Sequence, residues 1–266
     1  MGRIGFANVN GIRMHYAING AAGAPWVTFV TGIANDITLW EGQAKALAGA
    51  CRVLRYDLRG QGRSESTPGP YSIESLGRDL VALWDELGIA RSHLVGLGLG
   101  GSISLGVALE HASRVDRLAA CCCRARMEPD FAAMWHKLAD AVRQGGVESI
   151  VEPTAQRWFS EAFKAANPQR LDAVRSMIRA ASRDGYLGLV AAFLGLDLEH
   201  RIDRIAAPTL FLGGAEDRLG GPEEIMRRLA GKVAGARYVS VPGAAHIANL
   251  QNQAGFNRAL LSFLSA

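Results

Sequence analysis

The stretch Leu94-Val95-Gly96-Leu97-Gly98-Leu99-Gly100-Gly101 decides how this chain folds. It begins in a short apolar run and leads into a segment of small residues. An apolar run, a glycine-rich junction and a small-residue segment together predict a buried strand that turns sharply into a helix. The tip of such a turn has a strained backbone conformation, which glycine adopts without steric cost. We therefore expect Gly98 to occupy that tip.

Short apolar runs alternate with helical patterns on both sides of this turn. The alternation is typical of a parallel sheet that is covered by helices on both faces. An earlier pair of runs, residues 6–9 and 12–18, is joined by Asn10-Gly11, which favours an antiparallel hairpin. The sequence thus predicts an α/β fold with an antiparallel start. The later candidate strands are residues 27–30, 52–55, 93–95, 118–120, 209–212 and 238–241.

Helical patterns are clearest after Tyr71 and at the end of the chain. Ser72 can cap a helix whose apolar residues recur at steps of three and four until Gly88 stops it. The alternation of strands and helices breaks between Met127 and His200, where only helical patterns occur. We predict a core formed by residues 1–126 and 201–266, with residues 127–200 inserted over the sheet as a helical cap.

Two polar residues follow the late strands, in the order that acid–base catalysis needs. Asp217 comes after one strand and His246 after the next. A nucleophile on a sharp turn, then an acid, then a histidine is the chain order of one class of catalytic triad. The alternative makes Asp217 a loop acid before Pro222 and His246 a structural histidine, and Glu216 is a possible substitute acid.

The turn around Gly98 has the spacing of the G-x-S-x-G nucleophile elbow, but glycine stands where the serine would be. Ser102 and Ser104 lie in the following helix and cannot reach the tip. The amides of Ile33 and Leu99 are placed to bind a developing oxyanion, one after an early strand and one after the tip. We therefore expect the chain to form the turn of a nucleophile elbow but to lack the serine hydroxyl at its tip.

The same letters also satisfy G-x-G-x-x-G, the fingerprint of dinucleotide-binding proteins. Arg124 and Arg126 follow the next strand, where a nucleotide 2′-phosphate would lie. A dinucleotide-binding oxidoreductase is therefore the alternative function from another class. The fingerprint normally opens the first βαβ unit, whereas here four candidate strands precede it.

Several polar residues have a structural interpretation. Asp57, in the loop of residues 56–64, is predicted to anchor that loop, and the other five histidines have no partner pattern. Cys121, Cys122 and Cys123 are consecutive in an apolar run, so they do not have the C-x-x-C spacing of metal ligands. We expect them, with Cys51, to be reduced and buried.

Composition excludes several classes of protein. The chain has 266 residues, of which 49% are apolar, as suits a globular α/β core. Its net charge of +4 is scattered rather than gathered in a stripe, so no nucleic-acid partner is expected. The longest nearly uncharged run, residues 94–109, is short for a membrane span. No basic segment followed by an apolar stretch opens the chain, so we expect a cytoplasmic protein.

Taken together, these residues resemble the α/β-hydrolases related to 3-oxoadipate enol-lactonase, along nearly the whole chain. The resemblance implies a mostly parallel eight-stranded sheet with helices on both faces and a helical cap. It implies a serine hydrolase without metal or cofactor that opens a small, carboxylated ester or lactone. The matching positions include the 56–64 loop, the turn at Gly98, Arg126, Trp135, Arg157-Trp158-Phe159, Gly185-Tyr186 and Ala245-His246 with Asn249.

By this resemblance, Arg126 is predicted to pair with a substrate carboxylate and Trp135 to line the pocket. The sequence departs from the family pattern at Gly98, at Gln61 in place of His, and at Gln251 in place of Glu. It also lacks a cysteine in the cap segment of residues 185–190. The last two departures predict a different ring or chain in the pocket.

Three interpretations of Gly98 follow. An engineered Ser-to-Gly variant would hold its substrate uncleaved, and every other catalytic position is intact, as that interpretation requires. A natural enzyme would use His246 and Asp217 as a general base without a covalent step. A binding protein would keep the pocket and lose catalysis. The sequence leaves these open, as it does the oligomeric state and the identity of the ligand.

Overall fold

A computed structural model of the chain describes residues 2–265. Eight strands form one sheet in the order β1-β2-β4-β3-β5-β6-β7-β8. Pairs β1–β2 and β2–β4 are antiparallel, and all later pairs are parallel. The α/β-hydrolase sheet that the resemblance implied is therefore confirmed. The strands are β1 (Arg3–Val9), β2 (Ile12–Asn19), β3 (Trp26–Val30), β4 (Arg52–Tyr56), β5 (Ser92–Leu97), β6 (Val115–Cys121), β7 (Thr209–Gly214) and β8 (Arg237–Val241).

The helices follow the strands in alternation, except for a group of five between β6 and β7. They are α1 (Glu41–Leu47), α2 (Ile73–Glu86), α3 (Leu99–Glu110), α4 (Pro129–Gly145), α5 (Glu148–Trp158), α6 (Glu161–Ala166), α7 (Pro168–Arg179), α8 (Arg183–Leu194), α9 (Glu223–Ala230), α10 (Ala248–Gln251) and α11 (Gln253–Leu264). Short 3₁₀ turns occur at Ile37–Trp40, Ala112–Arg114 and Ile202–Arg204. Within residues 2–265, no helix has the length and apolar character needed to cross a membrane.

Local sequence signals explain where these elements begin and end. Asn10 and Gly11 both have positive φ, at 43° and 78°, as the tight β1–β2 hairpin requires. Ser72 caps α2 by accepting a hydrogen bond from the Ser75 amide, while the Ser75 hydroxyl accepts one from the Ser72 amide. Helix α3 is buried along ten of its residues, because it packs between the sheet and α2.

Helices α4–α8 lie in the segment where the sequence predicts a cap. The chain passes from core to cap just before α4 and returns just after α8, and a network of ion pairs binds both of these connections to the core. Glu128, just before α4, accepts hydrogen bonds from Arg124 at 2.6 Å and from Arg228 on α9 at 3.0 Å. Glu199, after α8, accepts two more from Arg228, both at 3.0 Å. One guanidinium on α9 therefore holds both ends of the cap.

A second contact between cap and core lies at the start of α8, where the backbone of the cap packs directly against the backbone of the 56–64 loop. The Ser182 hydroxyl donates to the Gly60 carbonyl at 3.1 Å, and a Cβ on Gly60 would lie only 2.3 Å from the Gly185 Cα. Gly60 has a φ of +75°. The close contact between the cap and the 56–64 loop thus depends on Gly60 and Gly185. The sequence by itself gave no indication that these two glycines meet.

The four cysteines are free and buried. Cys121 ends β6, and Cys122 and Cys123 continue into the following loop, each with no exposed surface. Burial and the nearby Asp217 charge raise the pKa of the Cys123 thiol to about 12. Burial likewise raises the pKa of Cys121 and Cys122 well above the usual range. All three are therefore neutral thiols at physiological pH.

Replacing Gly60 with Ala tests the attachment of α8. The new methyl group would meet the Gly185 backbone, so we expect the free energy of unfolding to fall by about 2–5 kcal/mol, combining left-handed strain with overpacking. Gly235→Ala is the matched control, because Gly235 has a φ of +70° and open space around a Cβ. The control should lose only about 1–2 kcal/mol in urea unfolding. If the two variants lose the same free energy of unfolding, the close contact between Gly60 and Gly185 does not contribute to stability.

Thiol reactivity tests the burial of the cysteines. Because the raised pKa values keep these thiols protonated, a disulfide reagent at pH 8 should react with the native protein far more slowly than with a small thiol. In denaturant, all four cysteines should react at the rate of a free thiol. Rapid reaction of a residue of the 121–123 run in the native protein would contradict the burial.

Candidate active site

The turn between β5 and α3 has the geometry of a nucleophile elbow. Gly98 has φ 60° and ψ −123°, its amide donates to the Cys121 carbonyl at 3.0 Å, and its carbonyl accepts from the Ser102 amide at 3.2 Å. A Cβ built on Gly98 would lie 3.4 Å from His246 Nε2 and 3.6 Å from its Cε1, with no other residue within 4 Å. A side chain at this position would therefore point at the imidazole.

Asp217 and His246 are brought together by the ends of β7 and β8. His246 Nδ1 lies 3.1 Å from Asp217 Oδ2. The loop after Asp217 wraps its carboxylate: the amides of Leu219 and Gly220 donate to Oδ1 at 2.8 and 3.1 Å, and that of Gly221 donates to Oδ2 at 2.9 Å. The carboxylate is thus buried but fully hydrogen-bonded, as a charged group away from water requires.

These contacts decide the charge of Asp217. Burial by itself raises the pKa of the carboxyl, but the His246 imidazole and the amides of Leu219 and Gly221 outweigh it, so the pKa lies below its usual value. An ionised Asp217 holds the proton of His246 on Nδ1, which leaves Nε2 as the basic nitrogen. Within residues 2–265, Nε2 has no hydrogen-bond partner, and His246 lines a cavity.

Two further contacts hold the imidazole in place. The ring packs against backbone, since a Cβ on Gly220 would lie 2.1 Å from His246 Cε1. Gln251 binds the preceding loop: its Oε1 accepts from the Ala245 amide at 3.2 Å, and its Nε2 donates to the Gly243 carbonyl at 3.0 Å. The same Nε2 donates to the Ser160 hydroxyl of the cap at 2.6 Å. Gln251 therefore joins helix α6's cap residue Ser160 to the histidine loop, and it does not line the cavity.

The cavity beside His246 lies between the sheet and the cap, and the space open to the centres of water molecules inside it is about 40 Å³. Helices α4, α5 and α8 supply half of the residues in its wall, which is largely apolar and aromatic. From the core come Gly32, Ile33, Ala34, Asn35, Gly98, Leu99, Leu219, Gly220 and His246, and from the cap come Phe131, Met134, Trp135, Leu138, Thr154, Arg157, Trp158, Tyr186 and Phe193.

Ile33 and Leu99, the two residues whose amides are predicted to bind an oxyanion, both lie in this wall. Leu99 is the first residue of α3, so its amide has no partner within the helix. The Ile33 amide makes no backbone hydrogen bond within the described residues, and both residues line the cavity. Nearby, Asn35 is 2% exposed and its Nδ2 has no partner in the described chain. These three N–H groups therefore have no hydrogen-bond partner within the described residues.

Arg157 is the unexpected member of the cavity. It lies on α5, and its Nε is buried without a hydrogen-bond partner in the described structure. In the described structure, the guanidinium makes one side-chain hydrogen bond, a long one from Nη2 to the Thr154 hydroxyl at 3.5 Å. Burial lowers the pKa of the guanidinium, partly offset by Tyr186. An arginine remains charged even so, and this one has no carboxylate partner within residues 2–265.

Arg126 does not line the cavity, so its contact with a substrate carboxylate stays a prediction. It lies at the junction of cap and core, as predicted, but its side chain is 51% exposed and it does not line the cavity. Its Nε lies 3.2 Å from Glu199 and 3.5 Å from Glu128. Arg124 is also bound to Glu128, so both cations that the dinucleotide alternative needs are already paired.

Trp135 does line the cavity, and its indole Nε1 is buried without a partner in the described chain. Sequence reasoning gave Arg157 no role, although a signal existed. On α5, Arg157 stands seven residues after buried Ile150 and three after buried Thr154, so it shares their face. A cation on the buried face of a helix indicates either an ion pair or a ligand site.

Other polar residues of the sequence are structural. Asp57 is 1% exposed and accepts hydrogen bonds from the Ile37 amide at 2.8 Å, the Arg63 amide at 2.9 Å and His15 Nδ1 at 2.7 Å. It therefore anchors its loop, while Glu216 is exposed and Asp217 is the carboxylate that binds His246.

One group of side chains could hold a metal. Ligand atoms of Cys122, Asp217 and His246 lie within 4.8 Å of one another. A metal here would need the Cys122 thiolate, and burial together with the Asp217 charge raises the pKa of that thiol well above its usual value. It would also displace the Nδ1 proton that Asp217 holds. These residues therefore fit an acid–base pair better than a metal site.

Comparisons with known proteins agree with this geometry. A family profile described as the alpha/beta hydrolase fold matches residues 25–253. 3-Oxoadipate enol-lactonase 2 of Acinetobacter baylyi is 27% identical over 94% of this chain and 92% of its own length. The crystal structure of the enol-lactonase from Burkholderia xenovorans LB400 superposes with a TM-score of 0.94 at 34% identity, covering 98% of this chain and 100% of that one.

A third similar structure is a thermophilic esterase from Thermogutta terrifontis with malate bound. It has a TM-score of 0.91 and 26% identity, and covers 99% of this chain and 98% of that one. The profile match spans most of the chain, and the sheet, the elbow and the adjacent Asp217–His246 pair agree with it. The chain belongs to the α/β-hydrolase family.

Proposed function

We propose that the cavity is the site of an ester or lactone hydrolase for small carboxylated substrates, in which only the nucleophile oxygen is missing. The observation that carries this proposal is the position of Gly98. A Cβ there would lie 3.4 Å from His246 Nε2 with no other residue within 4 Å, so the space for a serine hydroxyl is open. The proposal holds whether the glycine is native or introduced.

Without that hydroxyl, His246 acts on water. Its Nε2 takes a proton from a water molecule in the open space, the resulting hydroxide attacks the substrate carbonyl, and the amides of Ile33 and Leu99 hold the oxyanion. Asp217 stabilises the imidazolium, which then protonates the leaving group. No acyl-enzyme forms. Loss of a triad nucleophile costs about 10⁶ in kcat in a well-studied protease, so turnover by this route is slow.

The carboxylate of the substrate is assigned to Arg157. Arg157 is half-buried and its buried Nε has no partner in the described chain, so a bound carboxylate would give the guanidinium a bidentate partner of matching geometry. The Trp135 indole N–H is a second unused donor in the same wall. The enol-lactonases and the malate-bound esterase among the similar proteins support a small oxygen-rich substrate.

Restoring the serine tests the missing oxygen. Gly98→Ser should raise kcat on small activated esters or enol-lactones by several orders of magnitude, up to about 10⁶, because His246 can then activate the hydroxyl. The two proteins are compared side by side, with mass spectrometry to detect an acyl group on the introduced serine. His246→Gln in the Gly98→Ser background is the control and should abolish the gain.

The free energy of unfolding of the Gly98→Ser protein should fall by about 1–3 kcal/mol, because the elbow conformation is strained for any residue with a Cβ. If the original protein hydrolyses esters as fast as Gly98→Ser, catalysis does not run through the elbow. If neither protein hydrolyses any ester or lactone, the proposed function is wrong.

Arg157 is tested in the Gly98→Ser background. Arg157→Ala should lower kcat/KM for a carboxylated ester by about 10–100-fold, because a charged hydrogen bond contributes about 1.5–3 kcal/mol, and should change a neutral ester of the same size little. Arg126→Ala is the matched control, since it removes an arginine outside the cavity. If Arg157→Ala lowers kcat/KM equally for both esters, Arg157 does not bind the substrate carboxylate. If only Arg126→Ala lowers kcat/KM for the carboxylated ester, Arg126 is the residue that binds it.

A further inference from the structure

We infer that the same cavity catalyses proton exchange at the carbon next to a bound carbonyl group. Such an enolisation needs a base and a site for the enolate oxygen, but no nucleophile. The inference shares the base and the oxyanion donors with the proposed function, and it requires no ester bond to be broken. It therefore assigns carbon-acid chemistry to a hydrolase scaffold.

The first observation is the direct access to the base. With serine at position 98, the hydroxyl oxygen would stand between His246 Nε2 and the substrate. With glycine, only the imidazole lies within 4 Å of where a Cβ would be, at 3.4 Å from Nε2. A carbon of the substrate can occupy this space and bring its hydrogen to the nitrogen, as general base catalysis requires.

The second observation is the set of donors for the enolate oxygen. The amides of Ile33 and Leu99 line the cavity, and Leu99 begins the twelve-residue helix α3. Asn35 is 2% exposed, lines the same wall, and its Nδ2 is buried without a partner in the described chain. Enolisation places negative charge on the carbonyl oxygen, and preorganised N–H groups stabilise that charge.

The third observation is the apolar surrounding. Phe131, Met134, Trp135, Leu138 and Phe193 form the cap side of the cavity, and the rings of Trp135 and Phe193 pack at 5.3 Å. Few polar groups compete for His246, and a water-poor environment strengthens the interaction of the enolate with its donors. The buried Asp217 carboxylate stabilises the imidazolium that forms.

The step balances without any co-reactant. The bond between the α-carbon and its hydrogen breaks, and His246 Nε2 takes the proton. The electron pair forms a carbon–carbon double bond, while the carbonyl π electrons move to oxygen. In the reverse direction, the imidazolium returns a proton, exchanged with solvent, to the same carbon. In an unsaturated lactone, the imidazolium can instead protonate the enolate at the γ-carbon, which moves the carbon–carbon double bond.

The test uses (2-oxocyclopentyl)acetate, a cyclic ketone with a carboxylate and no hydrolysable bond. Deuterium incorporation at the ring carbons is followed by ¹H NMR in D₂O with the purified, full-length protein. His246→Gln should lower the exchange rate by about 10²–10⁴-fold, the usual contribution of a positioned base. Gly98→Ser should lower it by about 10²-fold, since an ångström-scale displacement costs about that much.

Gly98→Ala is the second variant, because its methyl group fills the space without supplying a nucleophile. It should lower exchange as Gly98→Ser does, but should not raise ester hydrolysis. Circular dichroism and thermal unfolding check that each variant is folded. An exchange rate that is the same in the unmodified protein and in His246→Gln overturns the inference, as does full exchange in both folded Gly98 variants.

The outcome is separate from that of the proposed function. If neither the unmodified protein nor Gly98→Ser hydrolyses an ester or lactone while the unmodified protein exchanges the ketone protons, the hydrolase proposal fails and the enolisation stands. If Gly98→Ser gains hydrolysis but the unmodified protein does not exchange, the enolisation alone is overturned.

Discussion

The buried carboxylate of Asp217 is the charge around which the rest of the site is arranged. A carboxylate away from water must be fully hydrogen-bonded, and here three backbone amides and one imidazole meet that need. Those bonds shape the loop of residues 219–221, and that loop leaves only glycine under the His246 ring. The position and tautomer of the histidine therefore follow from satisfying one buried charge.

The elbow shows that the backbone and the chemistry of a catalytic turn are separable. Its strained conformation comes from the β5–α3 junction, where glycine is the residue with the least steric cost. A serine in the same place would require the surrounding structure to hold it against that strain. Glycine at the tip of the turn is therefore compatible with the Asp217–His246 contact and with the cavity beside it.

Two arginines near the junction of cap and core differ in what surrounds them. Arg126 lies between Glu128 and Glu199, whereas Arg157 lines the cavity and has no ion pair with a carboxylate in the described structure. A paired guanidinium stabilises the junction between cap and core, and an unpaired one is available to a ligand. Two residues of the same type thus have different roles because of their neighbours.

Sequence alone determined the strands, the sharp turn at Gly98 and the placing of Asp217 and His246 after successive strands, because each depends on local patterns of apolar, small and turn residues. Those patterns could not place Arg126 or Arg157, since both are single cations whose role depends on residues far along the chain. They also gave no reason for Gly220, whose missing side chain makes room for the His246 ring. Such contacts exist only after distant segments pack, so the tertiary structure decided them.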